Sequence, residues 1–186
     1  MKRGLVLSFC SAVLVLGMTS SVLADQSDRR LEGLFERLQA TENESEARTT
    51  QALIWRIWIE SDDLLVDRLM RYGVRAMSAG QHSLALDYFD RIIGYEPTYA
   101  EGWNKRATVH FLMGNYDASV RDIERVLALE PRHFGALSGL GMIYDALEQP
   151  AAALRSFEAA LAINPHMPGP RQRVDVLKRQ LRGRPT

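Results

Sequence analysis

Three equally spaced prolines constrain the fold of this 186-residue chain more than any other feature. Pro97, Pro131 and Pro165 lie 34 residues apart, and each follows a similar triplet: Gly-Tyr-Glu, Ala-Leu-Glu and Ala-Ile-Asn. Further columns keep the same step, and they comprise Gly73, Ala107 and Gly141; Ala85, Ser119 and Ala153; Leu69, Trp103 and Leu137; Phe89, Ile123 and Phe157; and Ile92, Val126 and Ala160. A repeat of this length is typical of one supersecondary unit, which buries its apolar face only by stacking on its neighbours.

Each unit is predicted to contain two helices. Between residues 84 and 93, apolar side chains recur at the spacing of one helical face. Gly80 and Gly114 are expected to end the first helices, because glycine accepts the left-handed backbone of a helix C-terminus. Pro150 is expected in the first turn of the last second helix, where proline is tolerated. The pattern predicts an all-α chain.

These columns resemble the tetratricopeptide repeat family, whose unit is a 34-residue helix–turn–helix. The third unit carries the family pattern at Leu137, Leu140, Gly141, Tyr144, Ala153, Phe157, Ala160 and Pro165. The middle unit departs from it at Arg106 and His110. The resemblance implies an α-solenoid of three units, at residues 66–99, 100–133 and 134–167.

The flanks are predicted to be helical ends of the stack. Residues 25–65 are interpreted as an N-terminal helical cap or degenerate repeat, with Asp28 or Ser27 and Asn43 or Thr41 beginning its helices. The apolar block Trp55–Ile59 is alternatively a face for self-association. Residues 168–186 are interpreted as a basic C-terminal capping helix and tail, or alternatively as a weak contact for an anionic membrane or nucleic acid.

Residues 1–24 match a signal peptide. A positive start at Lys2 and Arg3 precedes a short apolar run, and small residues lead to a cleavage site after Ala24. We therefore expect an exported, periplasmic protein with no stable membrane span after cleavage; the alternative is an uncleaved anchor helix. The single cysteine, Cys10, lies in this segment, which excludes a disulfide framework.

No motif for catalysis, a metal or a cofactor is found. The four histidines never pair at helical metal-binding spacing; His82, His133 and His166 are expected at the surface and His110 packed. Asp62 and Asp63 favour the start of a helix over an acid–base pair. The charge balance, 23 basic and 23 acidic residues, excludes broad nucleic-acid binding.

The resemblance also implies a groove lined by the first helices, which holds a peptide or protein segment. The positions carried across are Asp67, Met70, Val74, Met77, Glu101, Asn104, Thr108, Phe111, Ser138, Met142 and Asp145. Methionines suit varied apolar ligands, and Asn104 suits a peptide backbone. Glu101 and Asp145 would favour a basic segment. Alternatively, Met70 or Met77 packs against the N-terminal helices.

One subgroup of the family grips a terminal carboxylate with Lys, Asn and Arg. The matching positions here are Met70, Val74, Lys105, Gly135 and Gly139, of which only Lys105 is charged, so such a clamp is not expected. The sequence thus predicts a non-enzymatic adaptor or assembly factor of a bacterial cell envelope, which captures a partner of unknown identity. The alternatives are a self-associating scaffold and, more remotely, a metal-dependent enzyme.

Overall fold

A computed structural model describes residues 28–183, and the predicted signal segment lies outside this range. The described residues form nine α-helices and no strand: α1 Arg29–Ala40, α2 Glu44–Ile59, α3 Leu64–Ser78, α4 His82–Tyr95, α5 Ala100–Leu112, α6 Tyr116–Leu129, α7 Phe134–Ala146, α8 Pro150–Ile163 and α9 Pro168–Arg182. Within residues 28–183, no helix is both long enough and apolar enough to cross a membrane. The predicted all-α class is confirmed, and α3 to α8 form the three helix pairs of a solenoid.

Side-chain caps begin the first three helices. The carboxylate of Asp28 accepts from the backbone N–H of Arg30, and Asn43 and Asp63 cap α2 and α3 in the same way. Each cap satisfies backbone donors that a helix leaves without partners at its first turn. Asp63 thus serves as the helix start that the sequence favoured.

The turn inside each unit uses one left-handed residue. Gly80 and Gly114 have φ angles of 72° and 73°, as expected from their position after the first helices. The third unit has Glu148 at the equivalent position, with a φ of 56°. That unit keeps the turn geometry although its residue lacks the freedom of glycine.

Inside each unit, a small residue on the first helix faces a matched residue on the second. A Cβ placed on Gly73 would lie 2.6 Å from the Phe89 ring, and one on Gly141 would lie 2.7 Å from the Phe157 ring. In the middle unit, the same two columns hold Ala107 and the smaller Ile123, both of which are buried. The volumes of the two columns therefore compensate each other within every unit.

Successive units stack through the second helix of one and the first helix of the next. A Cβ on Gly102 of α5 would lie 2.8 Å from Ile92 of α4, so the two backbones approach closely. Val109 of α5 and Ile143 of α7 are fully buried at equivalent positions. At the C-terminal end, α9 covers α8 with Val174 and Leu177.

The N-terminal hairpin, which consists of α1 and α2, does not continue this stack. It packs instead along the row of turns that join the units, where Tyr99, His133 and Met167 occupy equivalent positions. The Tyr99 hydroxyl donates to the Ile59 carbonyl at 2.7 Å, and His133 and Met167 lie against the apolar side chains of the hairpin. Of the two interpretations of residues 25–65, this arrangement differs from a degenerate repeat that continues the stack, and the hairpin caps the row of turns instead.

The face of α3 explains why, within residues 28–183, no unit stacks before it. The residue equivalent to Arg68 is Gly102 in the middle unit and Ala136 in the third. The residue equivalent to Arg75 is Val109 in the middle unit and Ile143 in the third. Both arginines are exposed. Because a charged side chain at such a buried contact would lose its hydration, this face does not accept the apolar hairpin.

We predict that Gly141→Ala destabilises the protein by about 1–2 kcal/mol, because the added methyl group collides with Phe157. Phe157→Ile in the same chain should recover part of the loss, since the pair then matches Ala107 and Ile123. Urea unfolding of both single variants and the double variant measures the coupling. Gly94→Ala is the control, because no atom lies within 4 Å of its added Cβ. Simple additivity of the two changes would contradict the compensation.

Candidate functional site

The Trp55 indole rests directly on Gly135, near the start of α7. A Cβ on Gly135 would lie 2.5 Å from Trp55 Cη2, so only glycine leaves room for the ring. The Lys105 ammonium lies 5.6 Å from the centroid of the same ring, within cation–π range. Trp55 therefore projects from the N-terminal hairpin between α5 and α7.

A group of aromatic rings holds α2 in this position. The rings of Trp58 and His133 stack with centroids 4.2 Å apart and an angle of 11° between their planes. Phe134 lies beside both tryptophans, with its ring centroid 5.6 Å from Trp55 and 5.0 Å from Trp58. Trp58, His133 and Phe134 are all fully buried, and burial of such large rings dominates the contact.

Beneath these rings lies a buried carboxylate, that of Glu101. The backbone N–H of Ala136 donates to His133 Nδ1 at 3.0 Å, so this ring nitrogen carries no proton. The Nε2–H of His133 then donates to Glu101 Oε2 across 3.2 Å. Asn104 Nδ2 donates to the same oxygen at 2.9 Å, and Lys105 Nζ lies 2.6 Å from Oε1.

These partners keep Glu101 ionised. Burial of the carboxylate acts to raise its pKa, but the hydrogen bond from His133 and the charge of Lys105 outweigh that effect. The pKa of Glu101 is thereby held below its ordinary value. Because both Lys105 and Asn104 are occupied by this carboxylate, their polar groups are largely committed inside the protein.

Two cavities border Trp55. The α5–α7 cavity has a volume of about 270 Å³, and the α2–α3 cavity has a volume of about 690 Å³. Of the predicted groove residues, the first is lined by Asn104, Thr108, Phe111, Ser138 and Met142, and the second by Asp67 and Met70. Trp55 is a wall of both cavities, so the hairpin divides the surface formed by the first helices.

The remaining predicted groove residues lie elsewhere or are already paired. Val74 and Met77 pack against the core of the first unit, to which Met70 also contributes. Glu101 is fully buried, and Asp145 forms an ion pair with Arg173 of α9 at 2.5 Å. The expectation that Glu101 and Asp145 attract a basic segment is therefore wrong, because both charges are compensated within the chain.

Two features of the site escaped the sequence analysis. His133 was expected at the surface but is fully buried under Trp58. Trp55 was not assigned to the groove, since residues 28–60 carry none of the 34-residue columns. The only available signal was Gly135, a residue without a side chain at a groove position. In the Trp55–Ile59 block, Trp58 is buried and Trp55 and Ile57 pack on the core of the hairpin, whereas Ile59 is 40% exposed.

Within the described residues, no group of three or more histidine, cysteine, aspartate or glutamate side chains is arranged to hold a metal ion. The hydrogen bonds of His133 are both made to groups that position it, one backbone amide and one carboxylate. The arrangement is suited to holding α2 against the turns and to leaving a cavity between α5 and α7.

We predict that Gly135→Ala releases Trp55 from α7, because the new methyl group would occupy part of the ring's volume. Amide hydrogen exchange in α2 should accelerate at least about tenfold, which corresponds to about 1.4 kcal/mol. Gly33→Ala, on α1, is the matched control because nothing lies within 4 Å of its added Cβ. Unchanged exchange in α2 would show that the indole does not depend on Gly135.

We predict that Glu101→Gln costs about 3 kcal/mol of unfolding free energy at pH 7, since it leaves Lys105 without its buried counter-charge. The folded pKa of Glu101 lies below its ordinary value of about 4.5, so its contribution is complete above that pH. The contribution is lost as the pH falls through the folded pKa.

Urea unfolding at several pH values tests this prediction. The difference between the unaltered protein and Glu101→Gln should shrink below about pH 4.5. Glu124→Gln, which alters an exposed glutamate on α6, should show no such difference. A difference that stays constant with pH would mean that Glu101 contributes by packing and not by charge.

Comparison with known proteins agrees with this architecture. A family model described as tetratricopeptide repeat matches residues 104–168. A TPR repeat-containing protein of Rhizobium etli is 37% identical over 158 residues, which cover 85% of this chain and 78% of that relative. Among solved structures, the first TPR of Spaghetti (RPAP3) superposes with a TM-score of 0.62 at 19% identity, over 66% of this chain and 97% of that one.

A second structural neighbour, MamA, has a TM-score of 0.59 at 19% identity, and the match covers 76% of this chain and 85% of MamA. At this level of identity, both structures support the fold. The Rhizobium etli relative extends the likeness over most of both chains, beyond the repeats themselves. Together with the 34-residue helix pairs, this similarity shows that the chain belongs to the tetratricopeptide repeat family.

Proposed function

We propose that this protein is a non-enzymatic adaptor or assembly factor of a bacterial cell envelope. Tetratricopeptide repeats are protein-interaction modules. The α5–α7 cavity is the surface that we assign to capture of a partner segment. Its walls combine the apolar side chains of Trp55, Phe111 and Met142 with the small polar groups of Thr108 and Ser138.

The cavity between α5 and α7 carries this proposal, because five predicted groove residues converge on it. Its volume of about 270 Å³ lies near the lower limit of ligand pockets, which suits one or two side chains of an extended segment. Met142 is 45% exposed and is free to adjust to the ligand. Ser138 offers a hydroxyl group for the ligand backbone.

The charges around the cavity favour an uncharged segment. Lys105 is neutralised by Glu101 at 2.6 Å, and Asp145 at the far end of α7 is neutralised by Arg173 at 2.5 Å. A charged ligand side chain would give up its hydration here and meet no free counter-charge. We therefore expect an apolar side chain at the centre of the bound segment and little dependence of its affinity on salt.

Structural neighbours support peptide capture as the mode of action. The first TPR of Spaghetti was solved with the HSP90 peptide SRMEEVD, and the TPR2B domain of yeast Sti1 with an Hsp70 peptide. Those peptides are ligands of those proteins. At the positions expected of a carboxylate clamp, Lys105 is the one charged residue of this chain. From those proteins we infer only that this surface binds a peptide. We expect the chemistry of the peptide that this chain binds to be different.

The location in the cell envelope rests on the sequence. Residues 1–24 have the charged start, short apolar run and small-residue site of a secretory signal. The similar protein of Rhizobium etli is bacterial. Fractionation of cells that express the full chain, with N-terminal sequencing of the product, tests both the destination and cleavage after Ala24.

We predict that Gly139→Leu weakens peptide capture, because the new side chain would project into the α5–α7 cavity. Ile123 Cδ1 lies 3.6 Å from the added Cβ, an ordinary contact, so the helix should tolerate the change. Peptides are first selected from a phage-displayed library of random dodecapeptides. Their affinities for the unaltered protein and the variant are then measured by calorimetry, with a loss of at least about tenfold expected.

Gly94→Leu is the matched control, since it also adds leucine at a helical glycine but faces open space. The selected peptides should share an apolar residue and lack a common charge. Equal binding to Gly139→Leu and Gly94→Leu would place the binding surface elsewhere and would refute the proposal. A consensus of acidic or basic residues that still requires Gly139 would instead refute only the expected ligand chemistry.

A further inference from the structure

The first helix of the solenoid, α3, leaves one side uncovered. Leu65, Arg68, Tyr72 and Arg75 follow one another at helical spacing and form what we name the α3 end face. Leu65 is 40% exposed and Tyr72 is 46% exposed, and both arginines are exposed. Large apolar and charged side chains therefore alternate along this surface.

Equivalent faces in the later units are covered by a helix. The residues 34 positions after Arg68 and Arg75 are Gly102 and Val109, which are buried under α4. Ala136 and Ile143 lie in the core between α6 and α7. In the two later units, the positions equivalent to Arg68 and Arg75 therefore pack against the second helix of the preceding unit.

No helix of the described residues occupies that position on α3. The N-terminal hairpin packs on the turns between units, and a cavity of about 690 Å³ separates α2 from part of α3. The opposite end of the solenoid is closed, since α9 covers α8 with Val174 and Leu177. Among the residues that the structure describes, the two ends of the stack thus differ: one has a dedicated helix and the other does not.

The side chains of the α3 end face indicate which kind of helix would bind to it. Within residues 28–183, neither Arg68 nor Arg75 has a carboxylate within ion-pairing distance. Leu65 and Tyr72 add partly exposed apolar surface beside the two arginines, and the Tyr72 ring lies 5.7 Å from that of Tyr88 on α4. Arginine and tyrosine together are characteristic of protein interfaces, where arginine pairs with carboxylates.

We propose that the α3 end face binds an amphipathic helix of a partner protein, with carboxylates opposite Arg68 and Arg75. The helix takes the place that α4 takes on α5, and its apolar side chains pack on Leu65 and Tyr72. This surface lies on α3 alone and does not involve the α5–α7 cavity. The two sites are independent, and a partner is able to engage one without the other.

The chain itself supplies the probe. Ile92 of α4 lies against Gly102, the equivalent of Arg68, so a side chain at position 92 of an α4 peptide would face Arg68. Two stapled, fluorescently labelled peptides of residues 81–96 are made, one with Ile92→Glu and one with Ile92→Lys. Fluorescence anisotropy then measures their binding to the full chain and to the double variant Arg68→Glu with Arg75→Glu.

We expect the Ile92→Glu peptide to bind the unaltered chain and to bind the reversed variant at least about tenfold more weakly. The Ile92→Lys peptide should show the opposite preference. Arg121→Glu with Arg179→Glu is the control, because it changes the net charge equally at two exposed arginines on α6 and α9. It should leave both affinities unchanged.

Equal binding of the two peptides, absence of binding, or the same response in the control variant would overturn the proposal. Sedimentation of the unaltered chain is measured in parallel. A dimer that the Arg68→Glu, Arg75→Glu variant dissociates would show that a second copy occupies the face, which also overturns it. If circular dichroism shows that this variant is unfolded, Arg68→Gln with Arg75→Gln replaces it, with the same loss expected for the Ile92→Glu peptide.

Discussion

The contact between the N-terminal hairpin and the row of turns between units is the interaction on which the site depends. The 34-residue step brings Tyr99, His133 and Met167 to equivalent places, so that a pair of helices finds a regular surface to pack against. Trp55 then reaches Gly135 and becomes a wall of both cavities. Without the hairpin, the surface of the first helices would be open along its whole length.

Apolar burial and the Glu101 network have different effects on this contact. Full burial of a large side chain such as Trp58 is worth a few kcal/mol, whereas a buried ion pair adds little net stability over an apolar pair. Breaking the pair is nevertheless costly, because it leaves either the fully buried Glu101 or the partly buried Lys105 without its counter-charge. The aromatic rings therefore supply most of the docking free energy, and the network penalises arrangements that move His133 away from Glu101.

Periodicity predicted the solenoid because every unit repeats the same pattern of turns and buried columns. Gly80 and Gly114 marked the turns, and Pro150 marked the start of α8. The columns alone did not show that Gly141 faces Phe157 of its own unit. The packing of the hairpin on the turns was not predicted, because its residues belong to no column and its contacts join residues 40 to 128 positions apart. The replacement of buried small and β-branched residues by Arg68 and Arg75 was a signal that α3 begins the stack, and it is visible in the sequence.

The common face of five residues was predictable for the same reason, since Asn104, Thr108, Phe111, Ser138 and Met142 follow the helical register of their units and line one cavity. The pairing of Glu101 with His133 was not, because it joins the start of one unit to the turn before the next.

Solenoids usually behave as chains of neighbouring units that bend and unfold one after another. Here the hairpin contacts several of the turns and holds them in fixed positions relative to one another, which fixes the curvature of the array. The array should consequently respond to force and heat as a single block, and its cavity should meet a partner with its shape already set.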